Sequence, residues 1–110
     1  MTMDEARARR LAENEALVRE VNERVGDVAA SWYDADEKVA FVCECSLEDC
    51  TERIQLTMRE YERVRSSPAW FAILPEHLIS EIEKRVDMIG DVLLAEKLGP
   101  GRDVAEETAP

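Results

Sequence analysis

The chain has 110 residues, with 25 acidic against 14 basic side chains and a formal net charge of -11. That length suits one domain, and that charge opposes nucleic acid and anionic membranes, where affinity comes from Lys and Arg displacing counterions. No apolar run nears the ~20 residues of a membrane span, and Met1 to Arg10 lacks the apolar stretch of a signal peptide, so a cytoplasmic protein without membrane contact is expected.

From Asp4 to Ala30 the pattern predicts one long amphipathic helix. Leu11, Val18, Val25 and Trp32 recur at seven-residue spacing, and Asn14, Val21 and Val28 make a second row. Such a stripe either lies across its own domain or forms the seam of a homodimer, with Asn14 as a polar register mark. Residues 1–36 are assigned to this helix and its exit. The polar run from Tyr33 to Lys38 breaks it.

Lys38 to Cys43 reads as a short strand with Val39, Phe41 and Cys43 on one face. Ser46 to Cys50 reads as a tight excursion, with Ser46 placed to cap a helical turn three residues before Asp49. Glu52 to Leu56 alternates as a returning strand. Thr57 and Glu60 then form a capping box for a second helix, which Ser66, Ser67 and Pro68 end. Ala69 to Leu74 is a buried strand closed by Pro75.

Leu78 to Lys97 is read as a β-hairpin. Ile82, Lys84, Val86 and Met88 share one face, and Gly90-Asp91 turns the chain into Val92 to Ala95. A helix from Pro75 to Met88 competes, since Glu76, Glu81 and Glu83 precede Lys84 and Arg85 in dipole-favourable order. Residues 37–98 form the small domain, and 99–110 have little to bury and read as a disordered tail. The fold class is α+β: a long helix, a small antiparallel sheet with a Cys-rich loop, and a second short helix. The arginines at 7, 9, 10, 53, 59, 63 and 65 are interleaved with Glu and read as solvated helix faces.

The chemistry lies in Cys43-Glu44-Cys45-Ser46-Leu47-Glu48-Asp49-Cys50. Residues two apart in an extended segment project to one side, so Cys43 and Cys45 can approach one ion, and the following turn returns Cys50. Three clustered cysteines suit thiolate ligands better than a disulfide framework. Structural zinc takes four ligands, and the single histidine, His77, is the candidate for the fourth. Buried or free thiols, a redox C-x-C pair and an iron–sulfur site are the competing readings.

The chain resembles a group of small uncharacterised bacterial proteins common in actinobacteria. The likeness rests on Arg19-Glu20-Val21-Asn22-Glu23-Arg24, Phe41-Val42-Cys43-Glu44-Cys45, Cys50-Thr51-Glu52-Arg53, the stretch from Leu56 to Arg65, and Pro75-Glu76-His77. It covers roughly residues 15–97 and implies that Cys43, Cys45, Cys50 and His77 belong to one signature. Those proteins tend to carry Pro-Gly-His where this chain has Pro75-Glu76-His77, so a permissive backbone position is lost. The group lends no activity.

No H-E-x-x-H, phosphate-binding loop or dinucleotide fingerprint occurs, and no catalytic residues are assigned. The expected function is a small zinc-binding protein with structural metal, a protein-interaction or regulatory module with a protein partner. A thiol- or zinc-based redox or metal sensor is the alternative.

Overall fold

The computed structural model describes residues 4–47 and 49–109. Helix α1 (Glu5–Trp32) opens on Asp4, whose carboxylate accepts from the Arg7 amide at 2.9 Å, and closes where the Tyr33 amide bonds the Ala29 carbonyl. Strands β1 (Lys38–Val42) and β2 (Arg53–Thr57) pair antiparallel, Val39 facing Leu56 and Phe41 facing Ile54. Helix α2 (Met58–Arg65) starts on the expected capping box, with both reciprocal bonds of Thr57 and Glu60 formed. Strand β3 (Trp70–Ile73) follows, then a 3-10 turn over Pro75–His77, then the hairpin β4 (Glu83–Ile89) and β5 (Val92–Lys97). The hairpin turn is made at Gly90, whose φ of 62° only glycine adopts without strain. Helix α3 (Pro100–Glu107) ends the described chain.

There are two small sheets: β1–β2, and a second in the order β3–β5–β4, all antiparallel. They share one core. Phe41 stacks on Tyr61 with ring centroids 4.4 Å apart, and Leu56, Val64, Phe71, Ile73, Leu93 and Leu94 fill the space between. A main-chain bond also joins the sheets: the Cys43 amide donates to the Glu52 carbonyl beside the β1–β2 pair, and the next amide, Glu44, donates to the Ala72 carbonyl of β3. None of the described helices is long and apolar enough to cross a membrane.

The hairpin forms, and of the competing helix only the single turn at Pro75–His77 appears. Strand β5 explains the outcome: it is buried almost throughout and needs a hydrogen-bonded neighbour on each edge. Of the residues expected to share one face, Ile82 is buried while Val86 and Met88 are exposed. A register shift between Arg85 and Asp87 turns the outer strand, and Asp87 there pairs with Arg63 at 2.8 Å.

Two expectations are corrected more deeply. The expected tail of 99–110 is not left unpacked over its described residues, which run to Ala109. Helix α3 lies along α1 and buries Gly101, Val104 and Ala105, and Gly101 has no Cβ where the Lys97 side chain passes (an added Cβ would sit 2.9 Å from Lys97 Cδ). The buried face of α1 is also not the expected stripe. It is Ala8, Ala12, Glu15, Arg19, Asn22, Gly26 and Ala29. These are the expected rows moved on by one residue, a rotation of about 100°. Leu17, Val21, Val28 and Trp32 stand outside, Trp32 with 80 % of its surface exposed.

Magnitudes show why. Burying a Val or Leu side chain is worth about 1.5–3 kcal/mol, which the outward residues forgo. A buried charge stripped of its partner costs about 3–5 kcal/mol, and α1 supplies partners to several. Its Glu15 meets the buried Lys97 ammonium, which also holds Glu83 at 3.2 Å. Its Arg19 donates to the Pro68 and Ala105 carbonyls and the Thr108 hydroxyl while lying 5.0 Å from the Phe71 ring centre. Polar demand sets the rotation.

Lys97→Met leaves Glu83 and Glu15, both buried, without the ammonium they share and is expected to cost about 3–5 kcal/mol, read as a lower urea midpoint. Burial, reinforced by Glu83 against the pull of Lys97, keeps the Glu15 carboxyl protonated well above its ordinary value of 4.5. Its contribution is therefore complete below that value and is lost as pH rises through the folded one. Glu15→Gln removes this dependence, so the stability of the variant relative to the parent should improve as pH climbs from acid towards neutral, checked by melts at matched ionic strength.

Candidate metal centre

Strand β1 delivers the first two sulfurs. The chain stays extended past Val42, so Cys43 and Cys45 fall on one side and Glu44 on the other, as the period of two requires. Cys43 and Cys45 are buried. Cys50 returns after a turn closed by its own amide to the Leu47 carbonyl at 3.1 Å. The expected Ser46 cap is not made: the Ser46 hydroxyl is buried without a hydrogen-bond partner among the described residues. Glu48, within this turn, lies outside them.

His77 arrives from the opposite sheet. Strand β3 runs into Pro75, whose fixed φ suits the first position of the 3-10 turn, and the His77 amide closes that turn on the Leu74 carbonyl at 2.9 Å. Glu76 occupies it with ordinary backbone angles, since no non-glycine residue among those described has positive φ. A glycine at position 76 is thus not needed for His77 to reach the sulfurs.

The structure brings all four together. One ligand atom from each of Cys43, Cys45, Cys50 and His77 lies within 4.8 Å of the others. His77 Nδ1 is 3.6 Å from the sulfurs of both Cys43 and Cys50, leaving Nε2 to carry the ring proton when Nδ1 ligates. All three cysteines are free thiols. Three Cys and one His are therefore positioned to bind a metal ion.

The electrostatics favour one thiolate in advance. Hydrogen bonding from the Cys45 thiol, then from the Leu74 amide at 3.2 Å, pulls Cys43 below the usual thiol range. The same contact with Cys43, followed by burial, pushes Cys45 up. Burial raises Cys50. Metal binding must thus displace protons from Cys45 and Cys50.

Glu44, projecting away from the ligands, was passed over in the sequence because one Glu among many carries no signal. Its side chain is fully buried, and both oxygens are saturated. Oε1 accepts from Arg65 at 2.7 Å and from the Ala72 amide at 2.9 Å, and Oε2 accepts from Arg65 at 3.1 Å and Asn22 at 2.9 Å. Arg65, expected on a solvated helix face, is held here and also donates to the Trp70 carbonyl. Tyr61 donates to Glu23 beside it at 3.0 Å. The R-E-V-N-E-R, C-E-C and E-Y-x-x-V-R segments thus meet behind the ligands as one polar network. A bidentate guanidinium–carboxylate pair is geometrically strict, so the span between Cys43 and Cys45 is fixed from behind.

No family model, no curated protein and no solved structure matches this chain.

Glu44→Gln keeps the shape but removes the charge that Arg65 requires, and is expected to cost about 3–5 kcal/mol in chemical denaturation. Combined with Arg65→Met, the loss should fall well short of the sum of the two single changes, because both disrupt one interaction.

Proposed function

We propose that the chain is a small zinc-binding protein whose metal is structural, and that it serves as a protein-interaction or regulatory module rather than an enzyme. The observation carrying this reading is the separation of His77 Nδ1 from two sulfurs, 3.6 Å in each case. A tetrahedral ion with metal–sulfur bonds of ~2.3 Å and metal–nitrogen bonds of ~2.0–2.1 Å places sulfur and nitrogen about 3.6 Å apart. Four protein ligands also match the closed complement of structural zinc, whereas catalytic zinc keeps a position for water. Zinc here would tie the end of β1 to the turn after β3, and so brace one sheet against the other.

One observation favours the sensor reading as the runner-up. Cys50 and His77 are only partly buried and line a surface cleft of about 410 Å³ with Leu47, Asp49, Thr51 and Glu52. That side of the centre is open to oxidant or chelator, while Cys43 and Cys45 are sealed.

Elemental analysis of the purified protein should find one equivalent of zinc. Cys43→Ser, Cys45→Ser, Cys50→Ser and His77→Ala should each strip the metal and unfold much of the domain, because structural zinc couples to folding. Protein that is metal-free yet fully folded would refute the structural role. Zinc expelled rapidly by dilute peroxide would transfer the case to the sensor.

Because Cys45 and Cys50 are raised, both enter the complex by losing protons. Apparent zinc affinity should therefore climb with pH through the neutral range, with protons released on binding. Titration calorimetry in buffers of different ionisation enthalpy measures that release directly.

A further inference from the structure

The three sulfurs of the centre lie within 4.8 Å of one another, but their backbones do not stand in equal relation. Cys43 and Cys45 are two apart on a segment that stays extended, so their Cα atoms are about 6.4–6.8 Å apart. Their side chains run parallel. The Cβ atoms are therefore about equally distant, well beyond the ~3.5–4.5 Å that a disulfide spans. Folding the segment to close that gap would pull Glu44 away from Arg65, Asn22 and the Ala72 amide. The C-x-C pair that the sequence offers for redox chemistry is thus held apart by its own middle residue.

Cys50 stands differently. The β1–β2 register pairs Phe41 with Ile54 and Val42 with Arg53, and the bond from the Cys43 amide to the Glu52 carbonyl continues it by one step. Two steps further, the count sets Cys45 opposite Cys50. The four residues between them make a common hairpin loop built on one turn, and the Cys50 amide closes that turn on the Leu47 carbonyl. Residues opposite one another in an antiparallel hairpin have Cα atoms about 4.5–5.5 Å apart, within the range that disulfides adopt. Cys43 is only the diagonal neighbour of Cys50, about 7–8 Å away, and its sulfur is tied towards β3 by the Leu74 amide at 3.2 Å. Access falls on the same side. Cys43 and Cys45 are sealed, whereas Cys50 opens onto the cleft it shares with Asp49 and Glu52, where two carboxylates favour a small uncharged reagent over an anion.

We infer that Cys50 is the site at which a small hydroperoxide oxidises this protein, and that the bond then formed is Cys45–Cys50. The Cys50 thiolate attacks one peroxide oxygen and the O–O bond breaks. The sulfur becomes a sulfenic acid, and the departing hydroxide takes a proton from solvent as water. The Cys45 thiolate then attacks the Cys50 sulfur, the S–O bond breaks, and a second hydroxide leaves and is protonated in the same way. Two thiolates, one hydrogen peroxide and two protons thus give one disulfide and two waters, and oxygen gains the two electrons that sulfur loses. Cys43 and His77 remain, two of the four ligands that structural zinc takes, too few to keep an ion. That consequence rests on the metal-centre reading above. The choice of sulfurs does not, since it follows from the backbone alone. The rate of the step decides between the structural and sensor readings and leaves the identity of the bond unchanged.

The zinc-loaded full chain, treated with rising hydrogen peroxide and quenched in acid at intervals, tests it. A glutamate-specific protease cuts after Glu44, Glu48 and Glu52 and leaves each cysteine on its own peptide. Mass spectrometry then reads every pairing once the remaining thiols are alkylated. The first bond to form should join the Cys45 and Cys50 peptides, with Cys43 alkylated and one zinc released per disulfide, counted with a chromogenic chelator. A first bond between Cys43 and Cys45, or between Cys43 and Cys50, overturns the proposal while leaving the metal centre standing. So does Cys50 carried to sulfinic acid with no disulfide, or a chain whose thiols all stay reduced in excess peroxide. A Cys45–Cys50 bond in protein that holds no metal as purified supports the pairing and refutes the zinc reading instead.

Discussion

A carboxylate with no exposed surface must find donors for both oxygens, and the way Glu44 finds them organises much of this protein. Arg65 arrives from α2, Asn22 from α1 and the Ala72 amide from β3. Three elements distant in sequence are thus gathered on one side chain. That side chain sits between two of the cysteines, so whatever places Glu44 also places Cys43 and Cys45. The centre and the polar network are opposite faces of one extended segment, and neither can shift alone.

The same demand explains an otherwise paradoxical helix. Helix α1 turns Ala, Glu, Arg, Asn and Gly inward and keeps Leu17, Val21, Val28 and Trp32 outside. Glu15, Arg19 and Asn22 each serve a group that would be costly to bury unserved: Lys97, the carbonyls around Pro68 and Ala105, and the end of β1 with Glu44. The small residues between them allow close approach, as where Gly26 sits against the Tyr61 ring. An apolar stripe facing solvent follows from a polar stripe that could not.

Elements with strong local signals were readable in the sequence. The capping box of Thr57 and Glu60, the Gly90-Asp91 turn, and the alternation of Val39, Phe41 and Cys43 all recur in the structure, because each depends on residues within a few positions of one another. The four ligands were readable for a different reason: Cys and His are few, so their chemistry stands out from the background. Charged residues were not readable in this way. Nothing local distinguishes Arg65 from Arg63 or Glu44 from Glu52, yet Glu44 is buried and Arg65 half-buried while Arg63 and Glu52 are exposed. The helix at 100–107 was missed because its burial is borrowed, Gly101, Val104 and Ala105 packing where α1 has already made a surface.

By itself, then, the sequence determined the kinds and order of the elements as far as β5, and the three thiols and one imidazole able to meet at an ion. These follow from periodicity, turn chemistry and ligand type, all short-range properties. Only the tertiary structure decided which face of α1 turns inward, which arginine pairs with Glu44, and that His77 crosses from the second sheet to the first. Those choices are settled by the cost of leaving a buried charge or backbone group unpaired, and that cost exists only once distant segments share one interior.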